Sequence, residues 1–268
     1  MSNIQFEYHD VDGKRLHVAS RLLEKKDVTP LLIFNGIGAG LELLEPLLES
    51  LNIPTITFDL PGLGGSPASN SPTRMHQFAL MAKRLLEQLN IDKVHVMGIS
   101  WGGGLAQQFA YQFPNYSDRL ILAATSTGHL MVPPKPSVLL RMATPLRYFS
   151  SNHFKKIAGD IYGGDFRRDQ KRIESHTKRM GPPALRGYLG QLYAMAGWTS
   201  VFYLHKITQK TLVMAGEDDP IIPLVNARFM NRQIPDSTLD IYDCGHLFIL
   251  TRLERAVASI ESFVKAEA

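Results

Sequence analysis

Residues 4–10 alternate apolar and polar side chains, Asp12-Gly13 supplies a turn, and residues 15–19 alternate again, which predicts a β-hairpin. The period then changes. Leu31-Leu-Ile-Phe34 is apolar throughout and runs into Asn35-Gly36, a short strand buried on both faces and closed by a turn. Apolar residues at helical spacing over 41–51 predict a helix, Thr55-Ile-Thr-Phe58 another buried strand, and 75–89 an amphipathic helix. A strand over 94–97, a helix over 105–113 stopped by Pro114 and a strand over 120–124 follow. The pattern resumes late in the chain with a strand over 211–215, a helix over 224–233, a strand over 238–242 and a helix over 253–265.

Strands that alternate with helices predict an α/β fold: a mostly parallel, eight-stranded sheet with helices on both faces and the opening hairpin antiparallel at one edge. Residues 127–205 interrupt the alternation with helical stretches broken by Pro and Gly. They read as a helical cap inserted into a core made of residues 1–126 and 206–268. Composition supports the division. The cap holds 12 Lys and Arg against 4 Asp and Glu, and 10 of the 24 aromatic residues, while the whole chain carries only +4. Hydrophobic residues at 44% and charged residues at 20% exclude disorder and coiled coil. Cys244 is the single cysteine, so no intramolecular disulfide forms. The first ten residues lack a basic-then-apolar leader, and no run of about 18 apolar residues occurs. The expectation is a cytoplasmic protein without a transmembrane segment.

Gly98-Ile-Ser100-Trp-Gly102 matches G-x-S-x-G between a predicted strand and a predicted helix. In that slot a serine sits on a sharp turn, and glycines two residues away let the neighbouring backbone approach. A serine hydroxyl is a weak nucleophile and needs a base. His246, in Asp243-Cys-Gly-His246, follows a strand and precedes the last helix, so the topology selects it as the base from nine histidines. His129 and His205 are candidate pocket residues. The base needs an orienting carboxylate. Gly216-Glu-Asp-Asp219-Pro follows a strand one unit earlier. Asp219 is preferred because the turn has reversed toward the histidine by then, and Asp218 is the alternative. The order Ser, Asp, His is that of α/β-hydrolases.

An oxyanion formed during acyl transfer requires two backbone N–H groups. Trp101, just after the nucleophile, supplies one, and Ile37, in Asn35-Gly-Ile-Gly38, supplies the other. No Lys-Ser/Thr follows these glycines, so the loop is not a phosphate loop. No cofactor is expected, no metal-ligand spacing is present, and no nucleic-acid motif accompanies the basic cap.

The longer strings LLIFNGIGAGLEL (31–43), FDLPGLGGS (58–66), GISWGGGLAQQFA (98–110), LILAATSTGHLMVPPKP (120–136), IYGGDFRRD (161–169), GWTSVFYLHKI (197–207) and GHLFILTR (245–252) resemble intracellular medium-chain-length polyhydroxyalkanoate (PHA) depolymerases, which have the α/β-hydrolase fold. The resemblance spans nearly the whole chain and includes the cap. It implies a serine esterase that degrades storage polyester, with Ser100, Asp219 and His246 as triad and the granule surface as a docking partner. The rivals are a general carboxylesterase or lipase on medium-chain esters, a lactonase or C–C hydrolase on the same scaffold, and an inert granule-coat protein, which has no need of a full triad. Of the large apolar cap residues Leu139, Leu140, Met142, Phe149, Phe154, Tyr193, Trp198, Phe202 and Tyr203, some are expected to line an entrance for acyl chains of six or more carbons and most to pack the cap on the sheet. Lys155, Lys156, Arg167, Arg168, Lys171, Arg172, Lys178 and Arg179 are expected to face the granule.

Overall fold

The computed structural model describes residues 4–25, 27–69, 71–143, 150–169, 171, 173–175 and 185–266. Phe149, Arg172, Lys178 and Arg179 lie outside the described residues. Eight strands form one sheet: β1 (Gln5–Val11), β2 (Lys14–Arg21), β3 (Leu31–Phe34), β4 (Thr55–Phe58), β5 (Val94–Ile99), β6 (Ser117–Ala123), β7 (Lys210–Gly216) and β8 (Ser237–Tyr242). Their order is β1-β2-β4-β3-β5-β6-β7-β8. The β1–β2 turn has Asp12 at φ 50° and Gly13 at φ 73°, the twist that a two-residue hairpin loop requires. β2 pairs with β4 antiparallel, and from β4 to β8 every neighbour is parallel.

Helices α1 (Glu45–Ser50), α2 (Met75–Gln88) and α3 (Trp101–Gln112) cross between the central strands. The central strands are buried on both faces, and the period of two inside the apolar runs divides the core. Leu31 and Ile33 join Leu44, Leu47 and Ile260 on one side. Leu32 and Phe34 join Phe78, Leu105 and Phe109 on the other. The helix expected over 41–51 is divided into a 3₁₀ turn at Leu41–Leu43 and α1. Pro46 explains the division, because proline lacks an N–H and is accommodated in the first turn of a helix.

Between β6 and β7 lie α4 (Pro136–Ala143), a helix at Ser151–Tyr162, a 3₁₀ turn at Gly164–Arg167 and a helix at Leu185–Met195. The stretch leaves and re-enters through one neck, where the Thr127 carbonyl accepts from the Ser200 N–H at 3.1 Å and the Thr199 hydroxyl at 2.8 Å. It has a small apolar cluster of its own, with Phe154, Ile157, Ile161 and Phe166 packed against Ile221 from the loop after β7. Among the described residues no helix is long and apolar enough to cross a membrane.

Candidate active site

Parallel strands that share a direction also share an end. The loops after β3, β5, β7 and β8 therefore gather at the carboxyl edge of the sheet. β5 stops at Ile99 and α3 starts at Trp101, so Ser100 alone makes the turn. Its φ of 54° and ψ of −118° lie where L residues are strained. Its backbone is fixed from three directions. Its N–H donates to the Ala123 carbonyl at 2.8 Å, and its carbonyl accepts from the Thr125 hydroxyl at 2.7 Å and the Gly103 N–H at 2.9 Å. The motif glycines are sterically required. A Cβ on Gly98 would stand 2.2 Å from the Gly102 carbonyl oxygen, and one on Gly102 would stand 2.2 Å from that of Phe34.

His246 arrives from the loop after β8 and Asp219 from the loop after β7. The Ser100 hydroxyl lies 3.0 Å from His246 Nε2, and His246 Nδ1 lies 2.7 Å from Asp219 Oδ2. A carboxylate accepts only, so Nδ1 carries the proton and Nε2 is left to accept from the serine. The other Asp219 oxygen accepts the Ile221 and Ile222 N–H groups, each at 2.9 Å, which fixes the carboxylate plane. Both side chains are buried. The His246 N–H donates to the Tyr162 carbonyl at 2.8 Å, and the Tyr162 ring lies nearly parallel to the imidazole. Burial, a buried relay and a reachable hydroxyl together can transfer a proton from serine to histidine as the oxygen attacks a carbonyl.

Asp218 turns the other way. Its Oδ2 accepts the Gly164 N–H at 2.8 Å and Arg167 Nε at 2.9 Å, and its Oδ1 accepts Arg167 Nη2 at 3.0 Å. Partial burial works to raise its carboxyl pKa, but the Arg167 and Gly164 hydrogen bonds outweigh it and hold the group below the ordinary carboxylate range. The two adjacent acids thus separate by direction: one faces His246 and the other fastens the Gly163–Arg167 turn. His129 and His205 are exposed and line no part of the pocket at Ser100.

Trp101 occupies the first position of α3, where a backbone N–H has no acceptor within the helix. Ile37 comes from the loop after β3, and a Cβ on neighbouring Gly36 would lie 3.7 Å from that of Ser100, so this loop borders the hydroxyl. Asn35 shapes it from within: its Oδ1 accepts from the Gly36 N–H and its Nδ2 donates to the Gly40 carbonyl, both at 2.8 Å.

The pocket over Ser100 encloses about 800 Å³ of empty space, its open mouth included. Its apolar wall comes mostly from the core. Leu43, Leu44 and Leu47 around α1 and Leu247, Ile249 and Leu250 after the histidine line it, joined by Met142, Tyr162 and Ile221. Of the large apolar cap residues considered for the entrance, only Met142 borders the pocket among the described residues. Phe154 is interior to the cap cluster, Tyr203 stacks on Tyr111, Trp198 covers Gly104, and Leu139, Leu140, Tyr193 and Phe202 are exposed. The leucines that do line it follow the glycine loop after β3 and His246 by a few positions, which is the signal that would have found them. Among the described residues no Lys, Arg, Asp or Glu lines it.

Comparison with known proteins adds four findings. The profile of the alpha/beta hydrolase fold matches residues 29–253. A poly(3-hydroxyalkanoate) depolymerase of Ectopseudomonas oleovorans is 46% identical over 264 residues, covering 98% of this chain and 93% of that one. A 3-oxoadipate enol-lactonase of Acinetobacter baylyi is 25% identical, covering 88% of this chain and 89% of that one. Among solved structures, an enol-lactonase from Burkholderia xenovorans LB400 superposes with a TM-score of 0.84 at 18% identity, covering 97% of this chain and 100% of that one, a likeness of fold.

Proposed function

The chain belongs to the alpha/beta hydrolase family and, within it, with the poly(3-hydroxyalkanoate) depolymerases, and from that premise we propose that it cleaves the ester bonds of a poly(3-hydroxyalkanoate) with medium-length side chains through Ser100, His246 and Asp219. The observation that carries the reading is a hydrogen-bonded serine–histidine–aspartate relay opening into a pocket whose described walls are mostly apolar.

Ser100 Oγ attacks the ester carbonyl while His246 Nε2 takes its proton. The backbone N–H groups of Ile37 and Trp101 receive the oxyanion. Asp219 keeps the imidazole in the required tautomer and stabilises its cationic form. His246 then protonates the departing alcohol oxygen of the polymer, and an acyl-enzyme remains on Ser100. A water activated by His246 releases the hydroxy acid and restores the serine. The leucine wall takes the alkyl side chain by burial. Among its described residues the wall offers no Lys or Arg to an anionic substrate, which suits a neutral ester.

We place the reaction in the cytoplasm at the surface of storage granules, with residues 127–205 as the cap that meets them. Lys156 and Lys171 are exposed there. The test is purified protein incubated with dispersed medium-side-chain polyester and, in parallel, with p-nitrophenyl esters from C2 to C12. Release of 3-hydroxy acids and a best chain of six or more carbons support the reading. Cleavage of the small esters with an untouched polymer supports a plain carboxylesterase instead.

A further inference from the structure

Gln191 lies within the helix Leu185–Met195 and is 1% exposed. Its Oε1 accepts from the Gly38 N–H at 2.6 Å, and its backbone carbonyl accepts from the Trp101 indole Nε1–H at 3.0 Å. These donors belong to two separate segments. Gly38 directly follows Ile37, and Trp101 directly follows Ser100. One residue of the cap helix therefore holds both strips of chain whose backbone N–H groups would receive the oxyanion.

The way Gln191 is used excludes a packing role alone. Its Nε2 is buried and has no hydrogen-bond partner among the described residues. A buried amide used by half is less favourable than an apolar side chain of its size. What glutamine adds at this place is the acceptor for Gly38, a buried residue at φ +69° in the middle of the loop. Without that acceptor the Gly38 amide is a buried orphan, and the loop must turn to satisfy it. Turning the peptide at Gly38 also moves the one before it, which carries the Ile37 N–H.

We infer that Gln191 is a positioning residue that sets, from the cap, the spacing and aim of the two oxyanion donors. The inference rests on the reading of Ile37, Trp101 and Ser100 given above, and it makes the seating of the cap helix a condition for fast acyl transfer rather than a cover only.

The experiment measures kcat per active site, titrated with a fluorophosphonate, together with KM for p-nitrophenyl octanoate and inhibition by 1-octaneboronic acid, whose tetrahedral adduct places an oxygen in the hole. Gln191→Met removes the acceptor, and Gln191→Glu keeps one. The expected result for Gln191→Met is a loss of about 10- to 100-fold in kcat per titrated site, somewhat below the loss of a whole oxyanion donor. KM stays within about twofold, and boronate affinity falls by the same factor as kcat. Gln191→Glu stays within about fivefold of wild type, since its acceptor still reaches Gly38. A Gln191→Met enzyme with wild-type kcat per titrated site, or a Glu variant as poor as the Met variant, overturns the inference. If Gln191→Met does not fold, Trp101→Phe serves: it removes the indole donor and keeps the backbone N–H. A fall of kcat per site at constant KM is then expected, and an unchanged kcat overturns the proposal. The fluorophosphonate separates the two levels of failure. Labelling of Ser100 with a flat Gln191 series sinks this inference alone, and labelling of another residue sinks the reading of the site with it.

Discussion

Asn substituted for Asp219 and for Asp218 should give opposite results, although the two residues are adjacent and the change is the same. At position 219 the amide oxygen can still accept from the Ile221 and Ile222 N–H groups, which lie 2.9 Å from Oδ1. The amide nitrogen then takes the place of Oδ2, 2.7 Å from His246 Nδ1. A donor there forces Nδ1 to be the acceptor, so the proton moves to Nε2 and faces the Ser100 hydroxyl, 3.0 Å away. The base is in place but holds the wrong tautomer, and the imidazolium formed on attack has lost its counter-charge. Such losses are about 10⁴-fold, or roughly 5.5 kcal/mol of barrier at about 1.4 per tenfold. At position 218 the substitution weakens a half-exposed bidentate contact with Arg167. Exposed pairs contribute about 0–1 kcal/mol to stability, and the barrier is unaffected beyond about threefold. The assay is kcat/KM on p-nitrophenyl octanoate with each variant, with far-UV melting to confirm folding. Asp219→Asn above about a tenth of wild-type activity, or the two variants in reverse order, would refute the assignment of the acid.

Three further outcomes follow from the geometry. The acyl wall predicts that Leu250→Trp or Leu43→Trp lowers kcat/KM for octanoate by about tenfold or more and leaves acetate within about threefold, since each buried methylene contributes up to about 0.8 kcal/mol; equal losses on both esters would contradict that wall. Burial holds the His95 imidazole down to about 4 against the opposing pull of Asp118, whose carboxylate is 3.2 Å from Nδ1. The unfolded chain takes up that proton near 6.5 and the folded chain only near 4, so stability falls as pH drops through this window. Urea unfolding at pH 7, 6 and 5 should show His95→Gln with the flatter fall, by up to about 1.4 kcal/mol per pH unit, and parallel curves would exclude the effect. Changing Lys155, Lys156, Lys171 and Arg172 together to Gln should weaken granule binding by up to about 1 kcal/mol per residue and flatten its salt dependence, with soluble-ester turnover unchanged. Lys155 also faces Glu174 at 3.5 Å and contributes the least of those described. Equal granule affinity at low and high salt would leave the charge no docking role.

The parts of this molecule that sequence exposes are those whose chemistry is local. Asp12-Gly13 between two alternating runs specifies the hairpin, and the short apolar run Leu31–Phe34, closed by Asn35-Gly36, is a strand buried on both faces as its length and turn indicate. Gly98 and Gly102 flank Ser100 because backbone lies where their side chains would be, so the motif and its context coincide. Legibility ends where two arrangements use the same residue types. Asp218 and Asp219 are identical in the sequence, and only the path of the loop sends one to Arg167 and the other to His246. Leu43, Leu44 and Leu47 have the composition of core, and Leu44 and Leu47 are buried in it while they also border the pocket. The aromatic residues of the cap are conspicuous in the chain, yet most of the described ones serve packing or stand exposed. Gln191 carries no local signal at all: it meets Gly38 from 153 residues away.

The most direct test of the account is the release of 3-hydroxy acids from dispersed medium-side-chain polyester by wild type and by Ser100→Ala, measured by chromatography at matched protein concentration. The account predicts steady release by wild type and none by Ser100→Ala, a loss of about 10⁴-fold or more, with the thermal transition nearly unchanged because the hydroxyl packs against little. Release by Ser100→Ala above a tenth of the wild-type rate, or a polymer that wild type leaves intact, would contradict it.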